Sequence, residues 1–250
     1  MIAVLYTNPS SITGRAIGRA FGGAWGTARV ANRRQRHLTY LVRWGSSRTV
    51  PWTIDEEVNC RDAIALAANK YAALECLSAH DVPTVPFSRS PAFDGTVLQR
   101  QDRHRGGTDI LSGPAEDFVP APGVHYTQFT ASEHELRLHV FGGQVIRSQI
   151  KKGEDGDLPI RSHGNGYTFI TFVNKEPNQS RKDVAVAAVQ ALGLDFGAVD
   201  MLLLPDGREL VLEVNTAPAC DGATLTAYLD AIASYTDLEY TLTKEDEDVS

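Results

Sequence analysis

Most apolar positions of the chain fall in short runs bounded by turn residues, and helical three-and-four spacing appears in separate stretches. Residues 2–6 (IAVLY) are a continuous apolar run and predict a buried strand. Ser11 to Phe21 predicts a short helix with Gly14 and Gly18 about one turn apart, and Gly22, Gly23 and Gly26 break it. Residues 37–45 (HLTYLVRWG) predict a second strand. From Glu56 to His80 the positions Ala63, Leu66, Ala67, Tyr71, Leu74 and Leu77 recur at steps of three and four, which predicts a helix. Asp81-Val82-Pro83 ends it, and VPTVPF is extended because a residue before proline avoids the α region.

The second half reads mainly as strands. Residues 96–100, 124–130 and 136–141 predict three of them, and Gly142-Gly143 turns the last into QVIRSQIKK. Residues 180–192 predict an amphipathic helix with Ser180 as N-cap, Asp183 three residues on and Gly193 as its stop. Residues 222–236 predict a last helix, and the acidic tail KEDEDVS reads as disordered.

The most informative stretch is 193–220, GLDFGAVDMLLLPDGRELVLEVNTAPAC. Two apolar runs, 198–204 and 209–214, flank Pro205-Asp206-Gly207, whose residues favour a tight turn. This predicts an antiparallel hairpin. Side chains alternate faces along a strand, so Glu213 and Asn215 share one side, and symmetric pairing brings Asp200 near it. Three oxygen donors then converge at the edge of an apolar sheet. Such a group suits a hard divalent cation, because Mg²⁺ is held by one or two carboxylates plus substrate phosphates. The spacing alone fits equally a turn-capping Asp200 and a solvent-facing Glu213.

Composition adds bounds rather than chemistry. With 250 residues the chain can bury a sizeable core, and its apolar and charged content is ordinary for a soluble globular protein. No run of eighteen apolar residues is present, and the N-terminus lacks the basic and long apolar regions of a signal peptide. Three cysteines, Cys60, Cys76 and Cys220, lack metal spacing and suit a reducing cytoplasm. Charge is uneven: residues 1–54 hold eight Arg and no Lys, Asp or Glu, which leaves −15 on the remainder of a chain whose total is −7. That basic lobe suits an anionic partner, such as a polyacidic peptide, a phosphorylated small molecule or a nucleic acid, and equally pairing with the acidic body.

The segment DFGAVD, the turn and LVLEVNTAP together resemble the metal-binding signature of the ATP-grasp ligases, most like the RimK-like branch. The resemblance implies an α/β (α+β) ATP-grasp fold. A small N-terminal α/β domain would occupy residues 1–58. The small subdomain, with a lysine helix and a glycine-rich loop, would occupy 59–125, and the subdomain with the metal site 126–240. The two subdomains would sandwich ATP, and 241–250 would be the acidic tail. By position the resemblance assigns Asp200, Glu213 and Asn215 to two Mg²⁺ ions, with Mn²⁺ able to substitute. The family's glycine after the proline is Ala219 here.

Further matches follow in the family's order. ANKYAALECLSAHDVPTVP resembles the helix whose leading lysine, here Lys70, reaches the nucleotide phosphates. QDRHRGGTDI resembles the glycine-rich loop over ATP, which implicates Arg105, Gly106 and Gly107, with Arg103 and His104 beside them. Glycine-exposed amides and nearby cations can cradle phosphate oxygens. The family's second lysine is Arg100 here, which keeps the charge with a different geometry. Gln128-Phe129-Thr130 matches the adenine hinge, with Gln128 in place of the usual Glu. Glu135 matches the ribose contact and Arg137 the contact to the transferred phosphoryl group or the carboxylate. Lys151 matches a basic pair, and RSHGNGYTF an active-site segment that implicates Arg161 and Asn165, with His163 as a weaker base candidate.

The activity implied is ATP-dependent carboxylate–amine ligation through an acylphosphate. Its partners would be ATP, an amine and a small-molecule, peptide or protein carboxylate; a homodimer is left open. Two alternatives stand beside it: an ATP-grasp enzyme acting on a nucleotide or nucleobase, and a nucleotide-binding module without ligase activity. The second rests on the departures at Arg100, Gln128 and Ala219.

Overall fold

In a computed structural model of the chain, residues 1–31, 37–103, 110–153, 165–171, 177–220 and 222–242 are described, except the side chains of residues 30 and 31. The elements, in chain order, are β1 (Ile2–Tyr6), α1 (Ile12–Ala20), β2 (Ala24–Gly26), α2 (Ala28–Ala31), β3 (His37–Trp44), β4 (Thr53–Val58), α3 (Arg61–Ala68) and α4 (Lys70–Ala79). There follow β5 (Phe87–Ser88), β6 (Thr96–Gln101), β7 (Leu111–Pro114), a 3₁₀ turn at Ala115–Asp117, β8 (Val124–Gln128), β9 (His134–Phe141) and β10 (Gln144–Lys152). The last are β11 (Thr168–Thr171), α5 (Gln179–Ala191), β12 (Phe196–Leu203), β13 (Glu209–Asn215) and α6 (Gly222–Thr236). None of the described helices is long and apolar enough to cross a membrane.

Three sheets organise these elements. The N-terminal sheet runs β2-β1-β3-β4 with every pairing parallel. A small sheet runs β5-β8-β6-β7 and a five-stranded sheet runs β11-β10-β9-β12-β13, both antiparallel. One face of the five-stranded sheet is apolar. Leu136, Leu138, Val140, Val199 and Met201 pack there against Ala185, Ala188 and Val189 of α5 and against Ala63, Ala67 and Leu77 of α3 and α4.

The N-terminal sheet is joined to the five-stranded sheet by side chains and backbone. Asn59, fully buried with φ of 64°, follows β4. Its Oδ1 accepts from the Asp195 and Phe196 amides at 2.8 and 3.0 Å, and its Nδ2 donates to the Phe196 carbonyl at 3.0 Å. Asn tolerates this left-handed backbone better than most residues. Trp44 stacks on Phe196 and meets Tyr228 of α6 edge-on, with centroids 5.1 and 5.0 Å apart. After β3, Gly45 has φ of 71°, and a Cβ there would lie 2.7 Å from the Ala217 Cβ. That close approach sets the loop after Asn215 against the N-terminal sheet.

Several expectations need correction. The helix expected from Glu56 is a strand first: Thr53–Val58 pairs in parallel with β3, and the helix begins at Arg61. It also breaks at Asn69, whose φ of −95° and ψ of 102° are extended and whose Oδ1 accepts from the Ala72 amide. Asn69 therefore ends α3 and caps α4, as asparagine favours caps over helix interiors. The cap of α5 is Asn178, accepting from the Arg181 amide at 3.0 Å, and not Ser180, which lies inside the helix. The strand expected over 124–130 ends at Gln128. Strands β2, β7 and β11 were not expected; they are three or four residues long, too short for periodicity to declare. Ala219 is not among the described non-glycine residues with positive φ, so the family's glycine is replaced here without left-handed backbone.

Candidate active site

The polar face of the five-stranded sheet is built in rows, because directly paired residues project to the same side. One row is Phe169, Lys151, Glu135 and Leu202. The next is Thr171, Gln149, Arg137, Asp200 and Glu213. A third is Arg147, His139, Ala198 and Asn215. The hairpin expected from the sequence thus pairs Asp200 with Glu213 directly, and Asn215 stands one row further along.

The central row is an ionic cluster. Arg137 donates from Nε and Nη2 to the two oxygens of Asp200 at 2.6 and 2.7 Å, a bidentate pair, with only 5% of the Asp200 side chain exposed. Burial opposes the Arg137 charge, but Asp200 more than offsets it and the pKa of the guanidinium is raised. Lys70, the first residue of α4, reaches Glu213 with Nζ 2.9 Å from Oε2. The break at Asn69 sets this position, and the Lys70 amide donates to the Asp102 carbonyl at the end of β6. Lys151 pairs with the buried Glu135 in the adjacent row. Arg100, half-buried on β6, is the fourth cation; burial lowers its pKa, and the Glu213 and Glu135 carboxylates act against that.

Asn215 bridges the carboxylates, its Nδ2 donating to Asp200 at 3.2 Å and Glu213 at 3.0 Å. Two carboxylates and one amide make an oxygen-donor set of the kind Mg²⁺ accepts alongside substrate phosphates. No cluster of three His, Cys, Asp or Glu occurs among the described residues, so substrate oxygens would have to complete the shell. Asn215 must turn its amide to present oxygen. Three carboxylates (Glu135, Asp200, Glu213) face four cations (Lys70, Arg100, Arg137, Lys151), leaving one positive charge in excess. A nucleoside triphosphate carries more negative charge than this excess offsets, so the residues fit a divalent ion arriving with the nucleotide.

The structure also shows a residue that the sequence did not flag. The Phe169 ring lies under the Arg137 guanidinium, 3.9 Å from its Cζ, and 5.2 Å from the Lys151 Nζ. A cation over an aromatic face is attracted by the ring quadrupole. Phe169 ends the segment RSHGNGYTF without being singled out there, because its place depends on the short edge strand β11. His139 is buried in the third row. Burial lowers its pKa to about 4, so it stays neutral, with Nε2 facing Gln149 Oε1 at 3.0 Å and Nδ1 facing the Tyr228 hydroxyl at 3.1 Å. Burial pushes the Tyr228 hydroxyl well above its usual range, which keeps it a donor.

The expected hinge residues bond to the small sheet and the loops beside it. The amides of Gln128 and Phe129 donate to the carbonyls of Pro86 and Thr96, at 3.0 and 2.8 Å, and Gln128 Nε2 donates to the Asp94 carbonyl. Thr130 bonds back to the Gln128 carbonyl at 3.3 Å. Asn165 is exposed. His104, Arg105, Gly106, Gly107, Arg161 and His163 lie outside the described residues.

The model of the RimK-like ATP-grasp domain matches residues 124–236, which run from β8 through α6. A probable alpha-L-glutamate ligase of Haemophilus influenzae strain PittEE is 31% identical over 205 residues, 72% of this chain and 66% of the relative. The chain carries a RimK-like ATP-grasp domain. It spans just under two thirds of the length of that relative. Among solved structures, ATP-grasp ligase PsnB complexed with a phosphomimetic variant of minimal precursor, Mg and ADP superposes with a TM-score of 0.68. The identity is 14%, over 94% of this chain and 98% of PsnB. D-alanine–D-alanine ligase from Bacillus anthracis gives a TM-score of 0.63 at 13% identity, over 93% of this chain and 92% of that one. These likenesses show the ATP-grasp fold. The RimK-like segment contains Arg137, Lys151, Asp200, Glu213 and Asn215, whereas Lys70 and Arg100 precede it.

Proposed function

We propose that this protein is an ATP-dependent carboxylate–amine ligase that forms an amide through an acylphosphate. The observation that carries the reading is the central row, where Asp200 and Glu213 stand side by side and each pairs with a cation from a different element. The division into residues 1–58, 59–125 and 126–240 belongs to the same reading. Free Cys60, Cys76 and Cys220 and dependence on ATP suit the cytoplasm.

In the first step a substrate carboxylate oxygen attacks the γ-phosphorus, the bond to the β,γ-bridging oxygen breaks, and ADP leaves. In the second step an amine attacks the acyl carbon, the new C–N bond forms, and phosphate leaves with its electron pair while the amine gives up a proton. When bound on Asp200, Glu213 and Asn215, Mg²⁺ supplies positive charge to the phosphate oxygens. Lys70 and Arg100 approach the phosphates from the small-sheet side. Arg137 faces the transferred group from the floor, steadied by Asp200 and by the ring of Phe169. Positioning and charge neutralisation of this kind are the main contributions a protein makes to phosphoryl transfer.

The test is the melting temperature with ATP, Mg²⁺ or both, for wild type, Glu213→Ala and Glu213→Gln. Ligand binding at a hundredfold Kd excess stabilises by about 2.7 kcal/mol, a shift of a few degrees. A shift that needs both ligands and vanishes in the variants is expected, followed by ADP release that requires an added carboxylate and amine. No shift in the wild type would overturn the reading.

A further inference from the structure

Lys70 and Arg100 belong to different elements, and Asp102 joins them. Asp102 directly follows β6, two positions after Arg100. Its amide donates to the Gly123 carbonyl at 2.8 Å, which carries the β6–β8 pairing one residue further. By alternation Asp102 therefore shares a face of the small sheet with Arg100 and with His125, the residue paired to Arg100 across the ladder. Its carbonyl accepts from the Lys70 amide at 2.7 Å. The first amides of a helix have no acceptor within the helix, so this bond also satisfies the start of α4.

The Asp102 carboxylate is held from two sides. Arg89 Nη1 donates to Oδ1 and Oδ2 at 2.8 and 2.9 Å, and to the Val124 carbonyl at 2.8 Å. His125 Nδ1 lies 3.1 Å from Oδ1, and since an ionised carboxylate only accepts, this nitrogen is the donor. Arg89 also covers the Tyr71 ring, with Cζ 3.6 Å from the centroid. The contacts close on themselves: Lys70 and Tyr71 at the start of α4, then Arg89, then Asp102, then the Lys70 amide again. An exposed ion pair would contribute little, and Arg89 is 46% exposed. The carboxylate itself is not a surface group, because its side chain is 15% exposed and that of His125 only 1%.

We propose that Asp102 is a positioning residue: held by His125 and Arg89, it fixes the first turn of α4 against the end of β6 and so places the Lys70 ammonium beside Arg100 for the nucleotide phosphates. A lysine ammonium is a point charge on a flexible stem, so where it acts depends on where its backbone is anchored. The role rests on the ligase reading, which takes Lys70 and Arg100 as phosphate contacts.

The experiment is calorimetric titration of the full chain with ATP in the presence of Mg²⁺, for wild type, Asp102→Ala, Lys70→Met and the double variant. Asp102→Ala is expected to weaken ATP binding about tenfold, and Lys70→Met at least as much. In the Lys70→Met background Asp102→Ala is expected to cost no more than about twofold, because the group it places is gone. Asp102→Asn keeps an acceptor for His125 without the charge; it is expected to fall between wild type and Asp102→Ala, and it carries the cycle if Asp102→Ala folds poorly. A role in stability alone would lower the melting temperature without ligand and leave ATP affinity unchanged, or reduce it by the same factor in both backgrounds. Either result overturns the positioning role and leaves the ligase reading standing, as does wild-type affinity in Lys70→Met. A wild type that shows no Mg²⁺-dependent ATP binding overturns both.

Discussion

The two faces of the five-stranded sheet are made by the same strands and differ in almost everything else. On β9, Leu136, Leu138 and Val140 go to the apolar side and Glu135, Arg137 and His139 to the polar side. On β12, Val199 and Met201 go one way and Asp200 the other. The apolar face is covered by α5, α3 and α4, so its residues contribute through area removed from water. The polar face holds charges that are stable only as pairs. A one-residue step therefore separates groups that any residue of similar volume could replace from groups whose geometry cannot change.

The comparison is sharpest with one substitution on each face. Asp200→Ala leaves Arg137 half-enclosed and unpaired, a change that typically costs about 3–5 kcal/mol, and it should also abolish the Mg²⁺-dependent ATP shift. Leu138→Ala opens a cavity opposite α5 and should cost about 2–5 kcal/mol, while the ligand-induced shift remains. Urea unfolding with and without Mg²⁺ and ATP separates the two. If Asp200→Ala kept its ATP response, the polar face would be structural only.

A smaller effect belongs to pH. His139 is neutral in the folded protein, with its pKa lowered to about 4 chiefly by burial, against 6.5 for the exposed group. The unfolded chain binds the extra proton between these values. Stability from this group is therefore complete above about pH 6.5 and is lost as pH falls toward 4, by at most about 3 kcal/mol. The difference in stability between wild type and His139→Gln, followed by denaturant titration from pH 7 to 4.5, should narrow with falling pH. A constant difference would place the histidine in a more polar setting than its contacts indicate. The smallest effect concerns the cap of α5: Asn178→Ala should cost about 1 kcal/mol, and Ser180→Ala clearly less, by thermal unfolding.

Much of this was legible in the chain. The alternation in 209–215 put Glu213 and Asn215 on one side and the turn at Pro205-Asp206-Gly207 joined the two strands, but a register shift between Asp200 and Met201 sets Asp200 opposite Glu213, where a ladder regular from the turn would set Leu212. Local chemistry of this kind survives folding because strand period and turn preference act over neighbouring residues. The start of the lysine helix was not legible, because Thr53–Val58 carries no clean alternation and becomes a strand only by pairing with β3. Nor did the helical spacing across 56–80 reveal the break at Asn69, which depends on a side chain choosing a cap over a helix interior.

Periodicity, turn residues and an ordered set of short motifs were enough to define the hairpin, its carboxylates and the RimK-like domain. Docking of one sheet on another decided the rest. Lys70 meets Glu213 across 143 positions of sequence, and Arg137 meets Asp200 across 63, because α4 and β9 are placed beside β13 and β12. Phe169 reaches Arg137 only because β11 adds to the edge of β10. These contacts form between segments whose separation along the chain leaves no local preference to specify them, so packing of the assembled sheets is what selects them.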